Sequence, residues 1–111
     1  MSGRTILIQS EFLGRGSDEL GEMLMSKFLD LLNDSKVKPA TLLFLNSGVK
    51  LVAEGSWALV HLKKLEEQGV EILACGTCLD FFGLADKIRV GKPTNMADTI
   101  DSLLNSDIVC L

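Results

Sequence analysis

Residues 70–80 read VEILACGTCLD and form the most informative stretch of the sequence. Val70–Ala74 is a largely apolar run of the length of a buried strand, and the residues after Cys75 resemble a first helical turn. Cys75 and Cys78 therefore follow the carboxyl end of a predicted strand. Unpaired backbone N–H groups and the positive end of a helix dipole favour a thiolate there, and the thiolate is the nucleophilic form of cysteine. If the chain has a catalytic activity, we expect it at this strand end.

Similar apolar runs recur on both sides of residues 70–80 and alternate with helical patterns. The predicted strands are Thr5–Ile8, Ala40–Leu45, Val70–Ala74, Lys87–Val90 and Ile108–Leu111. The predicted helices run from Ser17 or Asp18 to Leu32, from Gly55 to Gln68, from the Cys75 loop to Ala85, and from Met96 to Leu104. Continuous apolar strands are typical of a parallel sheet that is covered on both faces. The sequence predicts an α/β fold, a three-layer α/β/α sandwich with a five-stranded, mostly parallel sheet.

Helical spacing and turn residues give further local predictions. Gly69 is the expected glycine after the second helix, and Cys110 is expected in the core within the last apolar run. The apolar positions at helical spacing in the first helix are Leu20, Met23, Leu24, Phe28, Leu31 and Leu32. We expect these positions, Met23 included, to face the sheet.

The composition limits the possible partners. The 111 residues are 47% hydrophobic and 23% charged, which indicates one globular domain. A formal net charge of −4 argues against nucleic acid or an anionic membrane as the main partner. No apolar run reaches the roughly 18–20 residues of a membrane span, and no signal-peptide pattern is present. Three cysteines in such a chain favour the reducing cytoplasm as its location.

Metal and cofactor motifs are weak in this sequence. One CxxC pair and a single histidine, His61, supply few ligands for a structural zinc site, so we expect no metal. The CxxC motif also resembles that of thioredoxin-like proteins, but it follows the third predicted strand and not the first. We expect no bound cofactor.

Three loops follow predicted strands and should meet at one edge of the sheet, where ligands of parallel α/β folds bind. They are Leu13–Ser17, Asn46–Lys50 and Cys75–Cys78. Arg15 and Lys50 are candidate cations for stabilising a Cys75 thiolate or binding an anionic acceptor. Hydrogen bonds to the same pocket are expected from Asn46 and Ser47.

Five short motifs resemble a known family. They are LGRG at 13–16, NSGVKL at 46–51, CGTCLD at 75–80, VG at 90–91 and TNM at 94–96. In this arrangement the chain is similar, almost from end to end, to the DsrE-like domain of the YedF group. That group is described as sulfurtransferase-like and linked to selenium metabolism, and it belongs with the DsrE and TusD sulfur-relay proteins.

The resemblance implies a function and its residues. By its position after the strand and its distance from Gly83, Cys75 matches the cysteine on which the relay proteins carry a persulfide, with Cys78 as an auxiliary thiol. Sulfur donor or acceptor proteins of the TusA type and a homo-oligomeric assembly are implied as well. The substrate-binding residues expected from the loops and motifs are Arg15, Asn46, Ser47, Gly48, Lys50 and Asn95.

The domain organisation departs from the usual YedF pattern. YedF proteins usually join this domain to an N-terminal TusA-like domain with a Cys-Pro-x-Pro motif, whereas neither proline of this sequence follows a cysteine. We therefore expect residues 1–111 to form a single DsrE-like domain.

Two other functions remain open at this point. One is a non-catalytic, oligomeric interaction module in sulfur or selenium handling, whose thiols are structural. The other is a redox switch based on a reversible Cys75–Cys78 disulfide. A carrier requires one thiol that is far more reactive than the others, and a switch requires a defined disulfide.

Overall fold

The computed structural model describes residues 3–111, in which strands alternate with helices. The strands are β1 (Arg4–Ile8), β2 (Thr41–Phe44), β3 (Glu71–Cys75), β4 (Lys92–Thr94) and β5 (Asp107–Cys110). The α-helices are α1 (Asp18–Asp34), α2 (Leu59–Glu67), α3 (Gly76–Phe81) and α4 (Met96–Asn105). A 3-10 helix, Asn46–Val52, follows β2. Ser17, one of the two residues at which the helix was expected to start, caps α1, since its Oγ accepts a hydrogen bond from the Leu20 N–H at 3.1 Å.

All five strands form one sheet in the order β4-β3-β2-β1-β5, and every pair is parallel. The register places Leu43 of β2 beside Leu7 of β1 and Leu73 of β3. This confirms the predicted α/β fold with five strands, and the sheet is fully parallel where the sequence indicated a mostly parallel one. The carboxyl ends of all strands therefore lie at the same edge.

The strand order determines which helices share a face of the sheet. From β1 to β4 each crossover moves in the same direction, so right-handed connections place α1 and α2 on one face. The next connection, through α4, returns across the whole sheet to β5 beside β1, and therefore runs over the opposite face. The helices thus form the two outer layers of the sandwich.

The larger part of the core lies between the sheet and the helices α1 and α2. Alternate strand residues such as Ile8, Phe44 and Ile72 are buried in it. Helix α1 contributes Met25 and Leu29. Two more core leucines, Leu62 and Leu65, come from α2.

The buried face of α1 overlaps the predicted one only in part. The buried residues of α1 are Gly21, Met25 and Leu29, four residues apart. Of the six predicted positions, Phe28 and Leu32 are partly buried and pack against the core, whereas the other four are exposed, Met23 by 55%. The loop before α1 packs closely over Gly21, where an added Cβ would lie 2.7 Å from the Cβ of Phe12. Exposed apolar side chains on the outer side of α1 include Leu20, Met23, Leu24 and Leu31.

The fourth strand lies later in the chain than predicted. Lys87–Val90 is not part of the sheet, although Ile88 forms an isolated antiparallel bridge with Ala53. The chain then turns at Gly91, whose φ is +73°, and Lys92–Thr94 pairs with β3. Pro93 is compatible with this position because β4 is an edge strand and needs no donor on its outer side.

Several element ends also differ from the sequence-based expectation. The predicted loop Asn46–Lys50 begins a 3-10 helix, and α2 starts at Leu59 instead of Gly55. Helix α3 ends at Phe81, not near Ala85. Cys110, expected in the core, is exposed because β5 is the other edge strand.

Gly69 follows α2 in a left-handed conformation, with φ +95°, as expected of a glycine after a helix. It lets the chain leave α2 and enter β3 through Val70, whose N–H still bonds back to Leu65 in α2.

We predict that Gly48→Ala destabilises the fold by about 2–3 kcal/mol, because overpacking a tight site has a cost of this order. Gly48 is buried, and an added Cβ would collide with the backbone carbonyl of Ile8. The free energy of unfolding in urea measures the effect.

Gly55→Ala is the control for this substitution. Gly55 has a φ of +86° but open space around it, so only the left-handed conformation is penalised, by about 1 kcal/mol. An equal or smaller loss for Gly48→Ala than for Gly55→Ala would show that the contact with Ile8 does not restrict this position.

Candidate functional site

An open cleft of about 470 Å³ lies at the carboxyl edge of the sheet. Gln9 enters it directly after β1, Asn46 after β2, and Cys75 from the last position of β3. The other lining residues are Arg15, Leu45, Thr77, Cys78 and Met96. The parallel pairing of β1, β2 and β3 therefore brings three distant segments of the chain to one site.

Cys75 lies at the bottom of this cleft. It ends β3, pairs in register with Thr94 of β4 and directly precedes α3. Only 2% of the residue is exposed, although it lines the cleft. Cys75 therefore belongs to the core and borders the cleft as well.

Cys78 lies beside Cys75 and is only partly buried. The backbone N–H of Asn46 donates a hydrogen bond to its Sγ at 3.1 Å. Asn46 has a φ of +51° and is the one non-glycine residue with positive φ in the range 3–111. This left-handed conformation, which asparagine tolerates better than most residues, starts the 3-10 helix and orients its N–H.

The pKa of the Cys78 thiol is raised above its ordinary value. Burial is the largest cause, followed by a hydrogen bond with the Cys75 side chain, and the Asn46 N–H opposes both. A raised pKa leaves a smaller fraction of thiolate at neutral pH. Cys78 is therefore held mainly as a neutral thiol between Cys75 and Asn46.

A second, smaller pocket of about 300 Å³ adjoins the first. It shares Asn46, Thr77 and Cys78 with the larger cleft and adds Phe81 and Phe82. The two phenyl rings meet edge to face with centroids 5.3 Å apart, and Phe81 is 83% exposed. Cys78 thus lines both pockets, whereas Cys75 lines only the larger one.

Two of the six expected substrate-binding residues, Arg15 and Asn46, line the larger cleft. Ser47 and Lys50 line neither pocket. Ser47 Oγ accepts a hydrogen bond from the Glu11 N–H at 3.4 Å, and Lys50 Nζ lies 3.6 Å from a Glu11 carboxylate oxygen. These contacts connect the 3-10 helix to the loop after β1 and so support the wall of the site.

The remaining two expected residues have structural positions. Gly48 permits the close approach to Ile8 described above. Asn95 caps α4, because its Oδ1 accepts from the Asp98 N–H at 2.8 Å. The next residue, Met96, reaches the cleft.

Six lining residues were not among the predicted site residues: Gln9, Leu45, Thr77, Phe81, Phe82 and Met96. Gln9 directly follows the first predicted strand, and this position was a usable signal. The two phenylalanines lie three and four residues after Cys78, a spacing that brings side chains together on a helix.

No cluster of three or more His, Cys, Asp or Glu side chains suited to a metal ion occurs in residues 3–111. Within the same range, none of the helices has the length and apolar character needed to cross a membrane.

Comparison with protein families identifies the fold of the site. The profile of the DsrE/DsrF-like family matches residues 25–110. The chain belongs to the DsrE/DsrF-like family. The matched range contains β2, β3 and β4, the two site cysteines and Asn46. No curated protein matches this chain by sequence.

Solved structures share this family member's fold at low sequence identity. The ychN protein from E. coli is 15% identical with a TM-score of 0.74, and the match covers 100% of both chains. MTH1491 from Methanobacterium thermoautotrophicum is 16% identical, with a TM-score of 0.68 over 98% of this chain and 99% of its own. BT1422 from Bacteroides thetaiotaomicron is 23% identical, with a TM-score of 0.68 over 97% and 93%. At these identities the similarity establishes the fold.

We predict that Cys75→Ala lowers the pKa of Cys78, because it removes a hydrogen bond and a charge interaction that raise it. A lower pKa increases the thiolate fraction, so alkylation of Cys78 at pH 7.5 should accelerate about twofold to fivefold. Alkylation rates measured against pH by peptide mass spectrometry give the pKa separately from the accessibility of the thiol.

Cys75→Ser is the matched variant, since its hydroxyl retains a hydrogen-bonding group and should produce the smaller shift. An unchanged or higher midpoint for Cys78 in Cys75→Ala would contradict the coupling of the two thiols.

Proposed function

We propose that this DsrE/DsrF-like protein is a cytoplasmic, sulfurtransferase-like carrier that holds sulfane sulfur as a persulfide on Cys75. The observation that supports it most is the pairing of a sheltered thiol with a second thiol at one open cleft on the carboxyl edge of the sheet. Family membership agrees with a role in sulfur handling, and the CGTCLD and NSGVKL motifs favour the YedF group within it.

Two thiol-exchange steps account for loading and discharge. The Cys75 thiolate attacks the sulfane sulfur of a donor persulfide, whose S–S bond breaks, so that the donor leaves as a thiolate. Attack by an acceptor thiolate on the outer sulfur then forms the acceptor persulfide and returns the Cys75 thiolate. Sulfur moves between thiols without a net oxidant or reductant.

Burial of Cys75 suits this chemistry. An S–S bond is about 2 Å long, so the added sulfur projects from the 2%-exposed cysteine into the cleft. The inner sulfur stays shielded by the protein, and an acceptor meets the outer one first. Attack at the outer sulfur transfers sulfur, whereas attack at the inner sulfur forms a mixed disulfide and expels hydrosulfide.

The neutral state of Cys78 protects the loaded carrier. As a thiolate, Cys78 would attack the Cys75 sulfur, form the Cys75–Cys78 disulfide and release hydrosulfide. The raised pKa of Cys78 reduces its thiolate fraction and so slows this loss. Because the thiolate fraction increases with pH, the persulfide should be less stable in alkaline solution than near neutral pH.

The same cleft fits partners that present a thiol. We propose TusA-like sulfur donors or acceptors, and selenium as a cargo alongside sulfur, on the basis of the YedF-like motifs. A homo-oligomer is proposed as well, supported by the exposed apolar residues on α1 together with Ile100 and Leu104 on α4.

A dithiol switch is the second candidate function. The position of Cys75 and Cys78 at one cleft favours it, because the Cys75 side chain also contributes to the raised pKa of Cys78. A switch would form the disulfide reversibly under mild oxidants, with a reduction potential in the cytosolic range.

We predict that incubation with a sulfane-sulfur donor adds one sulfur to the protein, seen by intact-protein mass spectrometry. The addition should be lost in Cys75→Ser and on treatment with dithiothreitol, and it should persist in Cys78→Ser with a longer half-life above pH 8. The longer half-life is expected because Cys78 can no longer expel the sulfur.

Cys110→Ser is the matched control, since it removes an exposed thiol from β5 and should leave the Cys75 adduct intact. An adduct that depends only on Cys78 would show that Cys78, and not Cys75, carries the sulfur. The absence of an adduct in every variant would contradict the carrier function, and a stoichiometric Cys75–Cys78 disulfide would then favour the switch.

A further inference from the structure

We infer that the cleft at Cys75 takes an anionic sulfane-sulfur donor, whose negative group pairs with the guanidinium of Arg15. The inference rests on the proposed function and specifies the chemical class of its substrate.

Among residues 3–111, Arg15 is the only charged residue that lines the cleft. Its other lining residues are neutral, and the range 3–111 provides Arg15 with no ion-pair or hydrogen-bond partner. The chain as a whole carries a formal net charge of −4, whereas the cleft with the two thiols contains an unpaired positive charge. An anion that enters this cleft meets a cation and no carboxylate.

Glu11, the carboxylate before this loop, is already paired, and Asp18 and Glu19, the carboxylates after it, begin α1 and form no ion pair with Arg15 within residues 3–111. Glu11 lies 3.6 Å from Lys50 Nζ, and Lys50 Nζ also lies 4.7 Å from the centroid of the Phe82 ring. Glu11 is therefore partly neutralised by Lys50, and Arg15 remains available to a ligand. The two cations thus have different roles, with Lys50 in the wall of the site and Arg15 in its opening.

The loop that carries Arg15 holds it at the opening of the cleft. Gly14 and Gly16 flank it with φ values of +86° and +128°, which side-chain-bearing residues rarely adopt. The loop is closed by a backbone hydrogen bond of 3.0 Å from the Leu13 N–H to the Gly21 carbonyl. Arg15 lines a second depression of about 320 Å³ on its other side, so its side chain can shift without leaving the site.

Sulfur transfer creates a negative charge that Arg15 can stabilise. When the Cys75 thiolate attacks a sulfane sulfur, the bond to the leaving group breaks and the leaving group takes the electron pair. That group leaves as a thiolate from an organic persulfide, or as sulfite from thiosulfate. A guanidinium that lines the cleft favours both binding of the anionic donor and departure of the anion.

Charged and neutral alkylating reagents test the inference without any sulfur transfer. The ratio of iodoacetate to iodoacetamide rates is measured at each cysteine by peptide mass spectrometry, with exposed Cys110 as the internal reference. We expect this ratio to be roughly threefold to fivefold higher at the cleft thiols than at Cys110, because one cation contributes an effect of that order. Arg15→Gln should abolish the excess.

Arg4→Gln is the matched control, because Arg4 is exposed at the amino end of β1 and its loss changes the net charge equally. A ratio that is equal at all cysteines, or that Arg4→Gln lowers as much as Arg15→Gln, would overturn the inference. A fall in both reagent rates together would assign Arg15 a structural role and overturn it as well.

Loading experiments then distinguish the inference from the proposed function. Three donors are supplied to the wild type and Arg15→Gln: glutathione persulfide, an organic anion; thiosulfate, an inorganic anion; and cysteamine persulfide, whose ammonium group offsets its persulfide charge. We expect Arg15→Gln to slow loading by the organic anion, the inorganic anion or both, and not by cysteamine persulfide. Slower loading by all three donors alike, or by none, would overturn the inference while leaving the carrier function intact. If the iodoacetate-to-iodoacetamide ratio is raised at the cleft thiols as expected but no donor loads the protein, the carrier function would be contradicted instead.

Discussion

The site depends on the parallel pairing of β3 with β2 and of β2 with β1. This pairing ends the three strands at one edge, so that Gln9, Asn46 and Cys75 come together from distant parts of the chain. The most direct contact across the edge is the hydrogen bond of 3.1 Å from the Asn46 N–H to Cys78 Sγ. It connects the segment after β2 to the helix after β3 and places the second thiol beside the first.

The burial of the two thiols separates their roles. Cys75 is almost fully buried yet borders the cleft, while Cys78 is more open and has a raised pKa. A sheltered inner sulfur with an accessible outer sulfur is what a persulfide carrier requires, and a neutral neighbour limits the competing disulfide. The third cysteine, Cys110, is exposed on an edge strand and shares none of these features.

The sequence predicted the strands well where burial is two-sided. The runs that became β1, β2 and β3 are continuous and apolar because each central strand is covered on both faces. The edge strands were harder to place. Lys87–Val90 has the pattern of a strand, but the left-handed turn at Gly91 and the contact of Ile88 with Ala53 shift the pairing to Lys92–Thr94.

Packing between distant segments explains the other differences. The loop before α1 packs over Gly21, a contact that periodicity within the helix cannot reveal. At the site, position after a strand was enough to predict Cys75, Asn46 and Arg15. It did not distinguish lining residues from supporting ones such as Lys50, whose ion pair with Glu11 forms only in the folded chain.

The proposed function requires that the protein carries sulfur on Cys75 and delivers it to a thiol. The most direct measurement loads the protein with isotopically labelled sulfane sulfur, removes the donor and follows the label after an acceptor thiol is added. The account predicts that the label resides on the Cys75 peptide and passes to the acceptor as a persulfide, leaving both site thiols reduced. Label that never attaches to Cys75, or that leaves only as sulfide while a Cys75–Cys78 disulfide forms, would contradict it.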